Sequence, residues 1–142
     1  MSKYIGHGTA VTINSIALGG LVSVGIPEQT KGEAETTDSD SGNVREFIAG
    51  LRDSGQMEIT VRHDPDDVGQ QEIESNYAAA PGSEIVEFVI TLPDAATGSS
   101  GSRTYTFDGY VQTSLSGDLE LADDVAAELT CTVRVTGAVT IA

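Results

Sequence analysis

The sequence predicts a mainly β protein, an antiparallel β-sandwich or partial barrel with one flanking α-helix. Apolar and polar residues alternate with a period of two along most of the chain, which is typical of strands with one buried face. One stretch, by contrast, has the cap and the spacing of a helix. With 142 residues the chain has the size of a single domain with an ordinary hydrophobic core.

About seven segments carry a strand pattern. In the clearest one, Met57, Ile59 and Val61 fall on one face while Glu58 and Thr60 fall on the other. The predicted strands are residues 9–15, 21–26, 31–37, 56–63, 84–92, 103–113 and 128–136. Residues 31–37 differ from the rest because neither face is apolar. This pattern indicates a strand whose two faces are both solvated or both make contacts.

The helix is predicted to begin at the sequence Asp-Pro-Asp-Asp, residues 64–67. Asp64 would be the N-cap and Pro65 the first helical residue, with acids in the first turn. The apolar or small residues at helical spacing are Gly69, Ile73, Tyr77 and Ala80. Pro81 and Gly82 would end the helix. A metal site at His63 and the acids that follow it is the weaker interpretation.

Residues 38–55, DSDSGNVREFIAGLRDSG, form the most unusual segment. They are mostly polar, yet they include the apolar residues Phe47, Ile48 and Leu51. Loops of this length are uncommon in compact domains unless they are functional or disordered. We therefore expect a long loop that contacts another protein. An N-terminal arm of about residues 1–10 and a flexible loop at residues 95–102 complete the domain.

The charge of the chain restricts its partners. There are 22 acidic residues against 7 Lys and Arg, giving a net charge of −15. Such a surface repels nucleic acid and anionic membranes, although solubility or a salty cytoplasm would also explain it. The single cysteine allows no internal disulfide, and neither a signal peptide nor a membrane span is predicted. Synthesis in a cytoplasm is the expectation.

No pattern of residues indicates catalysis, a cofactor or a metal. Residues 38–49 fail the EF-hand spacing, because Ala49 stands where a bidentate Glu is needed. Cys131 lies on the apolar face of its strand and is expected to be a small buried residue. The chain has neither a phosphate-binding Gly-Lys-Ser/Thr loop nor a dinucleotide fingerprint. We therefore expect a protein that is not an enzyme.

Three motifs occur in a characteristic order: REFIAGLRDSG at residues 45–55, FDGYV at residues 107–111, and the final strand at residues 124–137. Because of these motifs and their order, the chain from about residue 20 to its end resembles the tail tube (major tail) proteins of long non-contractile tailed phages and related viruses. The resemblance implies a β-sandwich with a flanking helix. It also implies hexameric rings that stack into a hollow tube in the virion tail, made in the host cytoplasm.

The resemblance further implies the partners. These are other copies of the chain, a tape-measure protein, and tail tip and terminator proteins, while DNA passes through without specific binding and no membrane is involved. In the family the long loop, here residues 38–55, reaches the neighbouring ring. With about four strands from each subunit, the ring would close a barrel roughly 45–50 Å across. An acidic wall offers no phosphate contacts, so DNA would slide.

Two sets of residues are assigned on this basis. The predicted contacts between rings or subunits are Asp38, Asp40, Arg45, Phe47, Ile48, Leu51 and Arg52. The predicted lumen-facing residues are Glu33, Glu35 and Glu58. The alternative is a capsid decoration or adhesion β-sandwich that binds an external partner, and a small hydrolase ranks last.

Overall fold

The computed structural model describes residues 8–93, 100–121 and 126–142. These residues form one helix, α1, at Val68–Ala78. The strands are β1 Ala10–Ile13, β2 Ile16–Ala17, β3 Leu21–Val24, β4 Thr30–Glu35, β5 Phe47–Asp53, β6 Gln56–Arg62, β7 Val86–Pro93, β8 Ser100–Ser116 and β9 Glu128–Ile141. The helix is too short and too polar to cross a membrane.

Seven strands form one antiparallel sheet in the order β2-β1-β7-β8-β9-β6-β3. The sheet curls into a half-barrel, and α1 packs against β8, β1 and β2. Within the described residues, the two remaining strands, β4 and β5, pair only with each other. The predicted class, a mainly β partial barrel with one flanking helix, is confirmed.

The core lies on the concave, apolar face of this sheet. Phe88 on β7 lies directly opposite Phe107 on β8, and their rings stack with centroids 5.7 Å apart. The alternation predicted from the sequence is confirmed on β6, where Met57, Ile59 and Val61 are all buried. Burying a side chain of this size fully stabilises the fold by about 1.5–3 kcal/mol.

Helix α1 begins later than the sequence predicts, because Asp67 and not Asp64 is its N-cap. The Asp67 carboxylate accepts hydrogen bonds from the backbone N–H of Gln70 at 3.0 Å and of Gly19 at 3.1 Å. Asp64 instead accepts from the N–H of Asp66 at 3.0 Å, inside the turn that precedes the helix. The contact with Gly19 attaches the helix start to the connection between β2 and β3.

The buried face of α1 is more polar than its sequence spacing predicts. Its buried residues are Gly69, Gln70, Ile73 and Asn76, whereas Tyr77 is 54% exposed. The Gln70 side chain donates to the carbonyl oxygen of Arg62 at 2.8 Å, and the Asn76 side chain accepts from the N–H of Val111 at 2.7 Å. The two amides satisfy backbone groups of the sheet, so burying them leaves no orphaned polar atom in these pairs.

The segment expected as one long loop, residues 38–55, contains a strand. Residues 47–53 form β5, and only residues 36–46 remain a turn and loop. The sequence FIAGLRD has no clear alternation, so only its pairing with β4 reveals the strand. The two-residue strand β2 was also missed. Residues 1–7 of the expected N-terminal arm and residues 95–99 of the expected flexible loop lie outside the described residues. Residues 100–102 of that expected loop belong to β8, so the loop prediction is wrong there.

Candidate functional site: an exposed hairpin arm

Strands β4 and β5 form a two-stranded hairpin, residues 30–53, which we call the arm. Thr30 lies opposite Asp53 at its base and Glu35 lies opposite Phe47 near its tip. All residues from 28 to 53 are exposed except Ser41, which is half-buried. Isolated two-stranded hairpins are only marginally stable in water. The described part of the subunit therefore leaves both faces of the arm uncovered.

The base of the arm is held to the body by a tight turn. Gly55 has a φ of 71°, and a Cβ there would lie 2.4 Å from the carbonyl oxygen of Glu28, so only glycine is accommodated. The Asp53 carboxylate accepts from the N–H of Gly55 at 2.8 Å. The Ser54 hydroxyl donates to the carbonyl oxygen of Gly137 on β9 at 2.6 Å. These contacts fix where the arm leaves the sheet.

The tip of the arm is closed by side-chain hydrogen bonds. The Asp38 carboxylate accepts from the N–H of Asp40 at 2.9 Å and from the Ser41 hydroxyl at 3.3 Å. The Thr37 hydroxyl accepts from the N–H of Glu46 at 2.8 Å. Bonds from an Asp side chain to the N–H two residues later are typical of turns. Asp38 therefore organises the turn, whereas Asp40 is exposed and its carboxylate has no hydrogen-bond or ion-pair partner among the described residues.

The apolar residues predicted as contact anchors lie on the arm and are exposed. Leu51 is 92%, Ile48 58% and Phe47 49% exposed. Phe47 lies opposite Glu35 and Ile48 opposite Ala34. Because successive side chains of a strand point to opposite faces, both faces of the arm carry apolar groups. Exposed apolar groups clustered in this way mark interaction surfaces, and the contact itself remains a prediction.

The charged residues assigned to the same contact are spread along the arm. Asp38, Asp40 and Arg45 belong to the tip, whereas Arg52 lies at the base, opposite Lys31. Neither Arg45 nor Arg52 forms an ion pair within the described residues. The ion pairs found there join Arg62 to Glu128 at 3.4 Å and Arg134 to Asp53 at 3.0 Å.

The three acids assigned to the lumen lie on two different surfaces. Glu33 and Glu35 are on β4 and share a face of the arm with Phe47. Glu58 is on β6, on the convex face of the seven-stranded sheet. That face is polar, and the hydroxyls of Thr60 and Thr130 lie 3.0 Å apart on it. The structure thus groups Glu58 with a hydroxyl-rich sheet face and the other two acids with the arm.

A pocket at the base of the arm was not predicted from the sequence. It has a volume of about 480 Å³ and lies between the arm base and β9. Arg134 and Asp53 meet there through Nη2 and Oδ1 at 3.0 Å. The N–H of Gly55, and then the Arg134 guanidinium, lower the pKa of Asp53 below its ordinary value. Gly137, with a φ of 81°, lies where β9 bulges. A glycine inside a strand of β-branched residues is the sequence feature that could have predicted this bulge.

The described residues contain no group of three or more His, Cys, Asp or Glu side chains that could hold a metal ion. Cys131 is fully buried, and this burial raises the pKa of its thiol to about 12. A thiol with so high a pKa is not a nucleophile near neutral pH. The role predicted for Cys131, a small buried residue, is confirmed.

Sequence comparisons identify no relatives: no family model and no curated protein matches the chain. Solved structures do match it. A chain of the PVC sheath–tube complex of an extracellular contractile injection system, in the extended state, has a TM-score of 0.77 at 14% identity, over 99% of this chain and 91% of that one.

Two further structures are similar over the whole chain. One is the sheath/tube terminator of the same kind of PVC system, with a TM-score of 0.78 and 13% identity over 98% of the matched chain. The other is the tube-terminating cap of the anti-feeding prophage, with a TM-score of 0.78 and 16% identity over 92% of the matched chain. These identities show a shared fold, one found in phage-tail-like systems. The assignment to non-contractile tails remains a prediction.

Proposed function

We propose that this protein is a structural subunit of a phage-like tail tube, in which rings of subunits stack through the arm. The observation that carries the proposal is the exposure of Phe47, Ile48 and Leu51 on a hairpin that the described part of its own subunit leaves uncovered. In a permanent monomer these groups would be an aggregation hazard. Beneath a neighbouring ring they become the anchors of a repeated contact.

The fold supports the same proposal. Chains with this fold occur in structures of a sheath–tube complex and of a tube terminator. The open half-barrel leaves strand edges that a ring of subunits would pair or cover. In the proposed hexamer the partners are identical subunits, a tape-measure protein, and the tip or terminator proteins at the two ends.

The charge of the subunit suits a channel through which DNA slides. About six copies of a −15 chain would repel the phosphate backbone from every side. Glu58 is the best lumen candidate, because it lies on the polar convex face with the threonine hydroxyls. Glu33 and Glu35 share a face of the arm with Phe47, so in the proposed stack they would lie at the contact between rings, beside the channel wall.

A terminator or cap subunit of such a tube is the second candidate function. Two of the similar structures are of a tube terminator and a tube-terminating cap. A subunit that closes the end of a tube would form rings that do not stack further. The assembled form of the pure protein therefore separates the two functions.

Negative-stain electron microscopy of the concentrated protein is the direct test. Long tubes are expected for a tube subunit and single rings for a terminator. Discrete globules at all concentrations would contradict both, and would favour the decoration or adhesion module.

The role of the arm is tested by replacing Phe47 and Leu51 with Ser. The double variant should keep its circular dichroism spectrum and melting temperature but form no tubes. The matched control is Tyr77→Ser together with Ile85→Ser, two exposed positions (54% and 50%) outside the arm. If the arm variant still forms tubes, or if only the control variant fails to form them, the arm is not the stacking element.

A further inference from the structure

The pocket at the arm base gathers positive charge on a strongly acidic subunit. Of the seven Lys and Arg residues in the chain, two line this pocket, Arg52 and Arg134. Lys31 lies directly opposite Arg52 on the neighbouring strand. Asp53, the one acid among the described residues that line the pocket, is paired with Arg134. The pocket therefore has an excess of positive charge and suits a carboxylate from elsewhere.

Contacts within the subunit hold the walls of the pocket together. Asp53 pairs with the guanidinium of Arg134 at 3.0 Å, and a guanidinium has further N–H donors. Tyr110 on β8 lies opposite Arg134 and also lines the pocket. The hydrogen bond from Ser54 to Gly137 joins the arm base to the bulge of β9. A site with pre-positioned donors loses little conformational entropy on binding.

The acidic tip of the same arm cannot reach this pocket. Strand pairing runs from Thr30 at the base to Glu35, with one register shift between Lys31 and Glu33. At ~3.3 Å per residue, that paired stretch alone separates tip from base by roughly 17 Å. An acid of the tip can therefore enter the pocket only from a second copy of the chain.

We propose that the pocket lined by Arg52 and Arg134 receives the carboxylate of Asp40 from the arm tip of a second copy. This proposal rests on the proposed stacking of rings and identifies the pocket as the site that receives the arm tip. Asp40 is at the projecting end of the arm, and Asp38 beside it is already used in the turn. Tip and pocket are different surfaces of one subunit, so the contact is head-to-tail and can repeat from ring to ring.

Charge reversal tests the contact, with the fraction of protein that sediments as tubes as the measurement. Arg52→Glu and Asp40→Arg should each raise the concentration needed for assembly by about tenfold or more, since each places like charges together. Because the tip and the pocket belong to the same chain, the double variant should recover to within about threefold of the original protein. Arg103→Glu, an exposed cation outside the pocket, is the matched control and should assemble normally.

Each outcome has a distinct meaning. Normal assembly of Arg52→Glu or of Asp40→Arg overturns the proposal and leaves the tube function intact. Failure of the double variant to recover shows that Asp40 is not the occupant, which also overturns it. If the unaltered protein forms neither rings nor tubes, the proposed function fails and this contact fails with it.

Disulfide cross-linking tests the same contact without changing any charged residue. Ser39→Cys at the tip and Gln29→Cys at the pocket, combined in one chain, should give a ladder of covalent oligomers after mild oxidation of assembled protein. Each single variant should give dimers at most, and the buried Cys131 should not react. Assembled protein that yields no ladder would contradict the proposed contact.

Discussion

The seven-stranded body and the arm use the same kind of secondary structure in opposite ways. In the body, each long strand buries alternate side chains, and Phe88, Ile59 and Val133 are all fully buried. In the arm, both strands are exposed along their whole length, and Leu51 is 92% exposed. The body is stabilised by its own core, whereas the described part of the arm has backbone pairing, side-chain hydrogen bonds at its tip and a fixed base, but no core.

This difference separates residues that stabilise the fold from residues available for contacts. Changes in the body should lower the free energy of unfolding and affect assembly only indirectly. Changes in the arm should leave the isolated subunit folded and act on assembly directly.

The largest expected effect is that of Phe88→Ala. Phe88 is fully buried and stacks on Phe107, so its removal should lower the free energy of unfolding by about 3–5 kcal/mol. Chemical denaturation of the isolated subunit measures this. Phe47→Ala on the arm is the matched control and should change the value by less than about 0.5 kcal/mol. Similar losses for the two variants would show that the arm belongs to the core.

Asn76→Ala should have the next largest effect. The variant leaves the N–H of Val111 buried without its acceptor at 2.7 Å, at a cost of about 1–3 kcal/mol in the free energy of unfolding. Ser75→Ala, one residue away on the exposed face of α1, is the control and should be nearly neutral. An unchanged denaturation midpoint for Asn76→Ala would show that the helix does not support β8.

Excision of the arm should leave the body folded. Because Thr30 and Asp53 are paired, an Asn-Gly turn can replace residues 31–52 and join them directly. The shortened subunit should remain within about 1 kcal/mol of the full chain in unfolding free energy, and it should form no tubes. Loss of cooperative thermal unfolding would contradict the separation of body and arm.

The smallest expected effect concerns Asp53, at the junction of the two regions. Its pKa is lowered, first by the N–H of Gly55 and then by Arg134, so the ionised form is favoured in the folded state. Its contribution is present above the ordinary value of 3.8 and is lost as the pH falls through the lower folded pKa.

The melting temperature should therefore be slightly lower for Asp53→Asn between about pH 7 and about pH 5, and the difference should vanish at more acidic pH. Arg134→Gln should shrink this pH-dependent difference without removing it, because the N–H of Gly55 remains. A difference that persists below the folded pKa would show that the contact acts through packing instead.

The local pattern of the sequence is enough to predict the body. Period-two alternation placed Met57, Phe88 and Val133 on buried faces, because a half-buried strand imposes that pattern on its residues. It also marked Phe47, Ile48 and Leu51 as unusual, since apolar residues within a polar stretch need a partner. The β5 segment has no such alternation, and the sequence therefore predicted a loop there.

The other features depend on contacts between parts of the chain that are distant in sequence. Strand β5 is defined by its pairing with β4, and Asp67 rather than Asp64 caps the helix because Asp67 also bonds to Gly19, far away in sequence. The pocket likewise joins Arg52 to Arg134, which are distant along the chain. Local patterns record which face of an element is buried, but not which distant backbone groups and charges the fold brings together.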